Sequence, residues 1–277
     1  MNELALFAGA GGGILGGHLL GWRTVCAVEW EAYPASVLCA RQNDKILSPF
    51  PIWDDVQTFD GKPWSGIVDV VSGGFPCQDI SAAGKGDGLD GERSGMWKEM
   101  ARIIGEVRPK YAFIENSPML TFRGLERVLA DLASMGFDAE WGVLSAADVG
   151  ANHKRDRIWI VGKNTEQFRF FSHSLYDRDR WGQQQSQSIK EKNGSLANSS
   201  IKRCKKRSSK AQNEIFASNV GWRDSYEKLG SDWWASEPNV GRVADGVALR
   251  VDRLKAIGNG QVPLCAATAW RLLNERL

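Results

Sequence analysis

The sequence has 277 residues, 43% hydrophobic and 25% charged, the composition of a globular, soluble chain with room for one large domain or a domain and a smaller lobe. No stretch approaches a membrane span, and Met1-Asn2-Glu3 passes straight into Leu4-Ala5-Leu6-Phe7 without a basic leader, so a cytoplasmic protein is expected, with no signal peptide and no membrane contact. Five scattered cysteines without a Cys-x-x-Cys pair and three dispersed histidines exclude a disulfide framework and a zinc knuckle, and no metal is expected.

Taken in order, residues 4–8 read as a first buried strand. The glycine-rich stretch 9–17 turns from it into a helix through residue 20. Residues 24–28 form a second strand closing on Glu29-Trp30, and a helix follows over 33–41. A short apolar run at 50–53 leads to Asp54-Asp55-Val56. Residues 68–72 are another buried strand, ending in Gly73-Gly74 and delivering the chain to Phe75-Pro76-Cys77-Gln78. Met96, Met100, Ile103, Ile104 and Val107 recur at helical spacing, which predicts an amphipathic helix over 96–107, stopped by Pro109. Residues 111–115 are a strand, 125–135 a helix ended by Gly136, and 140–144 and 157–161 two further strands. This alternation predicts an α/β fold with a doubly wound, mostly parallel sheet.

From residue 163 the character changes. Residues 163–230 carry 14 Lys/Arg against 7 Asp/Glu, a local +7, so the remainder carries −5 of the total +2. The run Lys202-Arg203-Cys204-Lys205-Lys206-Arg207 sits among Phe168, Phe170, Phe171, Trp181, Trp222, Trp233 and Trp234. A basic block on a mildly acidic body is the footprint of a nucleic-acid surface; charge alone equally fits a solvated, disordered insert. The chain thus divides into 1–163, a cofactor-binding and catalytic domain; 164–237, a short basic recognition segment; and 238–277, a return ending in a helix over 263–277 with Leu264, Ala267 and Leu273 among its apolar positions.

The glycine loop between the first strand and helix contains Gly9, Gly11, Gly12, Gly13 and Gly16, and Gly11, Gly13 and Gly16 fit G-x-G-x-x-G. Glycine there lets backbone approach a ligand closely, and Glu29 ends the next strand, where an acid can bind ribose hydroxyls. That pattern suits a dinucleotide and S-adenosylmethionine alike, and structural glycine besides. Trp30 could lie beside an adenine base and a carboxylate at Asp54-Asp55 could accept from its amino group, though each is commonly core or cap. Cys77 stands where a strand gives way to a glycine-rich loop, residues 81–95. A cysteine is intrinsically very nucleophilic but only a few per cent thiolate at neutral pH, and cations or helix-terminal amides that lower its pKa make it effective. Glu115-Asn116 ends the next major strand and can face Cys77 across the same crevice.

At this point the chain resembles the DNA (cytosine-5)-methyltransferases. The matching motifs run in the family's order: Leu6-Phe7-Ala8-Gly9-x-Gly11-Gly12, Glu29-Trp30, Asp55-Val56, Gly74-Phe75-Pro76-Cys77-Gln78, Glu115-Asn116, Arg155-x-Arg157, and Gly258-Asn259 followed by Val262-Pro263. Each is weak alone; together and in order they are specific. The resemblance implies a Rossmann-like methyltransferase with a small target-recognition lobe, S-adenosyl-L-methionine as cofactor, double-stranded DNA as partner, a monomer, and a cognate restriction endonuclease as a candidate partner. It implies Cys77 as nucleophile at C6 of a flipped cytosine, Glu115 at N3, and Asn116, Arg155 and Arg157 as the rest of the catalytic set, the arginines holding the base or its phosphate. Phe7, Gly9, Gly11, Gly12, Glu29, Trp30, Asp55, Val56, Met96 and Asn259 would line the cofactor pocket. An RNA C5-methyltransferase of the same fold and a nicotinamide-dependent oxidoreductase are the alternatives; the latter leaves Cys77, Glu115 and the basic block unexplained. The chain departs from the family at Ala5, Ser117 and His153, and it lacks a Thr-Leu pair throughout.

Overall fold

The computed structural model describes residues 1–76, 96–165 and 250–277. Seven strands form one sheet: β1 Asn2–Leu6, β2 Arg23–Val28, β3 Ile52–Trp53, β4 Val70–Gly73, β5 Tyr111–Asn116, β6 Phe137–Ser145 and β7 Asp156–Asn164. Their order is β3-β2-β1-β4-β5-β7-β6. β1 to β5 pair parallel, and β7 runs antiparallel between β5 and β6. The helices are α1 Gly12–Leu19, α2 Ala32–Asn43, α3 Met96–Val107, α4 Leu120–Arg123, α5 Leu125–Ser134, α6 Arg250–Asn259 and α7 Pro263–Asn274.

The sheet is buried on both faces, and the period of two along its strands shows it. Leu4 and Leu6 of β1, Val71 of β4, Ala112 and Ile114 of β5, and Ile158 and Ile160 of β7 join one core with α3 and α5. The alternate residues Val70, Phe113, Trp159 and Val161 join a second core with Trp22 and the buried side of α7. Ala5 and Ala27 face that same side and pack under α1 and α2 with Ile14 and Leu38. Successive side chains of a strand point to opposite faces, so a strand covered on both sides must be apolar throughout. Val70–Gly73 is buried without interruption, and its one polar side chain, Ser72, is satisfied by donating to Glu3 Oε1 at 2.6 Å. The α/β, doubly wound, mostly parallel architecture expected from the alternation of elements is the one observed.

Boundaries shifted in instructive places. α3 begins at Met96, as its spacing predicts, but Trp97 is the residue fully buried there while Met96 is half-buried. Trp97 can be buried because its Nε1 donates to Asp131 Oδ2 of α5 at 2.8 Å. β6 and β7 are nine residues each, longer than the expected 140–144 and 157–161, because the hairpin partner supplies ladder bonds to polar flanks such as Asp138 and Lys163. α4 and α6 have no counterpart in the sequence reading. The recognition segment, from 166 on, and the basic run 202–210 lie outside the described residues.

Candidate active site

The strand order reverses between β1 and β4: the chain goes outward from β1 to β3, then crosses back to β4 on β1's other side. At such a switch point the connections leave in opposite directions and open a crevice at the strands' carboxyl ends. A pocket lies there, lined by Leu6 to Gly9 at and after the end of β1, Gly13 of α1, Ser72 to Gly74 at the end of β4, Glu115 of β5, Asn259 at the end of α6, and Gly260 and Gln261 after it.

The loop after β1 is wound by left-handed residues: Phe7 at φ 51°, Gly9 at φ 55° and Gly11 at φ 89°. A non-glycine residue such as Phe7 is rarely held there, and such outliers gather at ligand sites. Around Gly9 no atom lies within 4 Å of where a Cβ would sit, so its backbone is open to a ligand. Its N–H donates to Glu29 Oε2 at 2.7 Å, and the N–H of Glu31 donates to Glu29 Oε1 at 2.8 Å. Glu29 is buried, and that burial raises its carboxyl above the usual range against the pull of these two bonds. Trp30, next in the chain, is 73% exposed, a large aromatic surface at the crevice-side end of β2. Asp55 Oδ1 accepts from the N–H of Gln57 at 2.8 Å. Val56 is buried, and its carbonyl accepts from Arg102 Nη2 of α3 at 2.8 Å. Met96, at the start of α3, packs half-buried against the same core as Val56.

The glycines of this loop and helix divide by what lies opposite them. Gly9 and Gly11 make the turn. Gly12, Gly13 and Gly16 instead face the return segment: a Cβ on Gly12 would collide with the Gln261 carbonyl oxygen, one on Gly13 with Gln261 Oε1, and one on Gly16 would lie 2.7 Å from Ala266 Cβ. The Cβ side of Gly12 thus lies against the Gln261 backbone.

Glu115 is buried at the end of β5. Its Oε1 is 2.7 Å from Arg157 Nε of β7, and its Oε2 accepts from Gln261 Nε2 at 3.4 Å. Burial raises its carboxyl above the usual value; the nearby Arg157 and Arg155 charges and the Gln261 and Arg157 hydrogen bonds oppose it without overcoming it. Asn116, 2% exposed, donates from Nδ2 to the Phe75 carbonyl at 3.0 Å and accepts from the Ser117 N–H at 2.7 Å. It fixes the backbone two residues before Cys77, which itself lies outside the described residues. The two arginines, expected together on a base or phosphate, separate: Arg157 serves Glu115, while Arg155 Nη2 donates to the carbonyls of Gly258 and Gly260 at 2.6 and 2.7 Å. Arg155 therefore holds the turn that carries Asn259 to the crevice. Gln261 has no place in the sequence reading; the signal available was its position between Asn259 and Pro263.

The model of the C-5 cytosine-specific DNA methylase family matches residues 1–248. The chain belongs to this family. The type II methyltransferase M.PspPI of Psychrobacter sp. (strain TA137) is 35% identical over 179 residues, 62% of this chain and 40% of that protein. M.NgoBI of Neisseria gonorrhoeae is 35% identical over 167 residues, 58% of this chain and 50% of its own length. The crystal structure of the S. pombe Dnmt2 methyltransferase covers 59% of this chain and 50% of its own at 18% identity, with a TM-score of 0.49. The chain spans about half the length of the curated relatives it matches. The methylase-family match ends before α6, so Asn259 and Gln261 enter the site from beyond it. Among the described residues no cluster of His, Cys, Asp and Glu could hold a metal ion, and no helix is long and apolar enough to cross a membrane.

Proposed function

We propose that this chain methylates C5 of a cytosine in double-stranded DNA, using S-adenosyl-L-methionine and a transient bond between Cys77 and C6. The observation that carries the reading is the family match over 1–248, joined to a buried Glu115 paired with Arg157 at the carboxyl ends of the sheet. The crevice suits the cofactor: Gly9 offers open backbone, Glu29 closes β2 with a carboxylate whose remaining lone pairs can meet ribose hydroxyls, and Trp30 presents an exposed ring to an adenine. Phe7, Gly11, Gly12, Asp55, Val56, Met96 and Asn259 complete the proposed pocket, Gly12 by admitting Gln261 beside it. When bound, the cofactor supplies the electrophilic methyl group that C5 takes.

The protein's part is to make C5 nucleophilic and to hold the base. Cys77 thiolate adds to C6, and the C5=C6 electron pair moves toward C5 and the ring's O2–N3 side. Glu115, its carboxyl raised by burial, delivers a proton to N3 as that charge develops. Oε1 is occupied by Arg157, so Oε2, on the side of Gly74 and Gln261, is the oxygen that meets N3. Once C5 carries the methyl group, N3 returns its proton to Glu115, and loss of the C5 proton re-forms the C5=C6 double bond and expels Cys77 as thiolate. Asn116 acts as a positioning residue through the Phe75 carbonyl, and Arg155 through the return turn. The base must leave the duplex to reach this crevice, at a cost of a few kcal/mol, about what unstacking one pair requires. In this reading residues 1–163 form the catalytic domain, 164–237 read the target, and 238–277 return to the crevice.

The test is a duplex substituted with 5-fluorocytosine, incubated with protein and S-adenosylmethionine. Fluorine cannot leave as a proton does, so mass spectrometry should find the DNA joined to Cys77, and Cys77→Ser should form no adduct and transfer no methyl group. An adduct on another residue, or full activity in Cys77→Ser, would overturn the assignment. Substituted RNA run in parallel decides between nucleic acids, and calorimetry with NAD against S-adenosylmethionine tests the cofactor. Glu115→Gln should lower kcat by about 10²–10⁴-fold, the usual worth of a positioned proton donor.

A further inference from the structure

We propose that Gln261 is a positioning residue for Glu115, reaching it through a slot that Gly13 and Gly74 keep open. Its catalytic meaning rests on the methyl-transfer reading above, while its structural meaning stands by itself. Gln261 joins three parts of the molecule. Its backbone carbonyl abuts Gly12, its Oε1 abuts Gly13, and its Nε2 donates to Glu115 Oε2 at 3.4 Å. At Gly74 a Cβ would collide with Glu115 Oε2 and lie 2.9 Å from Gln261 Nε2. Two glycines from separate parts of the chain, Gly13 in α1 and Gly74 after β4, are therefore small around one side chain, and Gly12 is small beside its backbone. Arg155 pins the carbonyls of Gly258 and Gly260 immediately before Gln261, so the backbone that carries the amide is held from the other side.

An amide suits this place chemically. Glu115 already has a cation on Oε1. A second cation on Oε2 would hold the carboxyl ionised, and a carboxylate there would repel it. A neutral amide orients Oε2 and adds no charge. Among the described residues the charged groups acting on Glu115 are Arg157 on β7 and Arg155 just before it. β4 and the residue after it present Gly73 and Gly74, and of the described residues that line the pocket around Glu115 none other is charged. Gln261 is thus the uncharged partner that sets where Oε2 points and biases the carboxyl toward its ionised form, in the direction opposite to burial.

The experiment follows Glu115 by carbon-13 NMR of protein labelled at glutamate carboxyls, its signal identified by disappearance in Glu115→Gln. Gln261→Met keeps the shape and removes the donor, so the titration midpoint of Glu115 should rise by about one pH unit, the loss of a long charge-assisted bond. Gly13→Ala should do the same without touching Gln261's chemistry, because the new methyl displaces the end of a flexible side chain. The double variant should shift no further than either single one. An unchanged midpoint in a folded Gln261→Met, or shifts that add, would overturn the proposal; should that variant fail to fold, Gly13→Ala decides. In turnover, the alkaline limb of the pH profile should move upward with the NMR midpoint, which a purely structural role would not produce. Wild-type protein that methylates no cytosine would remove the enzymatic reading, and the NMR shifts would still decide Gln261.

Discussion

Glu3 and Glu115 are both buried carboxyls, and what lies within reach of each decides how it behaves. Glu115 has Arg157 at 2.7 Å. Glu3, 1% exposed in β1, has hydroxyls: Thr24 Oγ1 donates to Oε2 at 2.8 Å and Ser72 Oγ to Oε1 at 2.6 Å. Burial pushes its carboxyl from 4.5 to about 7, the two hydrogen bonds pulling the other way. The sign follows from linkage. Between pH 4.5 and 7 the folded protein holds a proton that the unfolded chain has released, so this contribution to stability is full below pH 4.5 and is lost as pH rises through 7. At about 1.4 kcal/mol per unit the loss is on the order of 3 kcal/mol. Glu3→Gln keeps a neutral group whose oxygen accepts from one hydroxyl and whose amide donates to the other, and it should remove that slope. Urea melts at pH 5 and pH 8 check this: wild-type stability should drop between them and the variant's should not. Parallel slopes would mean that Glu3 is not the group titrating.

At the scale of elements, the packing of α1 on α7 depends on glycine. Gly16 meets Ala266 Cβ at 2.7 Å and the Pro263 carbonyl at 2.9 Å of a would-be Cβ, atoms that cannot swing aside. Gly16→Ala should therefore cost about 1–3 kcal/mol by forcing the two helices apart. Gly105 in α3 is the opposite case. Its would-be Cβ meets Met135 Sδ at an ordinary 3.5 Å, and its backbone is helical. Gly105→Ala should stabilise by about 0.5–1 kcal/mol through chain entropy alone. Thermal melts should thus move in opposite directions for two changes of identical chemistry. A shift of the same sign in both would mean that intrinsic helix propensity, and not the opposing surface, governs α1.

For the molecule as a whole, the last helix is a structural member and not an appendage. α7 places Cys265, Ala266, Ala269, Trp270 and Leu273 in the second core. Trp270 stands edge-on to Trp22 at 4.7 Å and to Phe113 at 5.4 Å between ring centroids. Burying Trp270 and Leu273 alone contributes about 3–6 kcal/mol, a large part of a domain's usual 5–15 kcal/mol. A chain ended after Gln261 should lose its cooperative thermal transition by circular dichroism. A melt near that of the full chain would show the second core to be complete without α7. The family match stops at residue 248, so the part that completes the core and supplies Asn259 and Gln261 is one the family model does not reach.

What could be read from residues alone was local or came with a motif. The parallel strands were legible because a strand buried on both faces is apolar throughout, and α3 because its apolar spacing is helical. Glu115 and the glycine loop were legible because one closes a strand and the other follows one, and strand ends line the crevice of such a sheet. Tertiary structure alone decided which glycine has open space beside it and which has protein, since that depends on the atoms opposite each missing Cβ: nothing for Gly9, Gln261 for Gly12 and Gly13, Ala266 for Gly16. It likewise parted Arg155 from Arg157, two residues that a sequence places together. Gln261 could not be found from its neighbours because its partner is 146 residues away. Sequence carries periodicity and identity over a few turns of chain; the fold alone determines which distant groups are brought into contact.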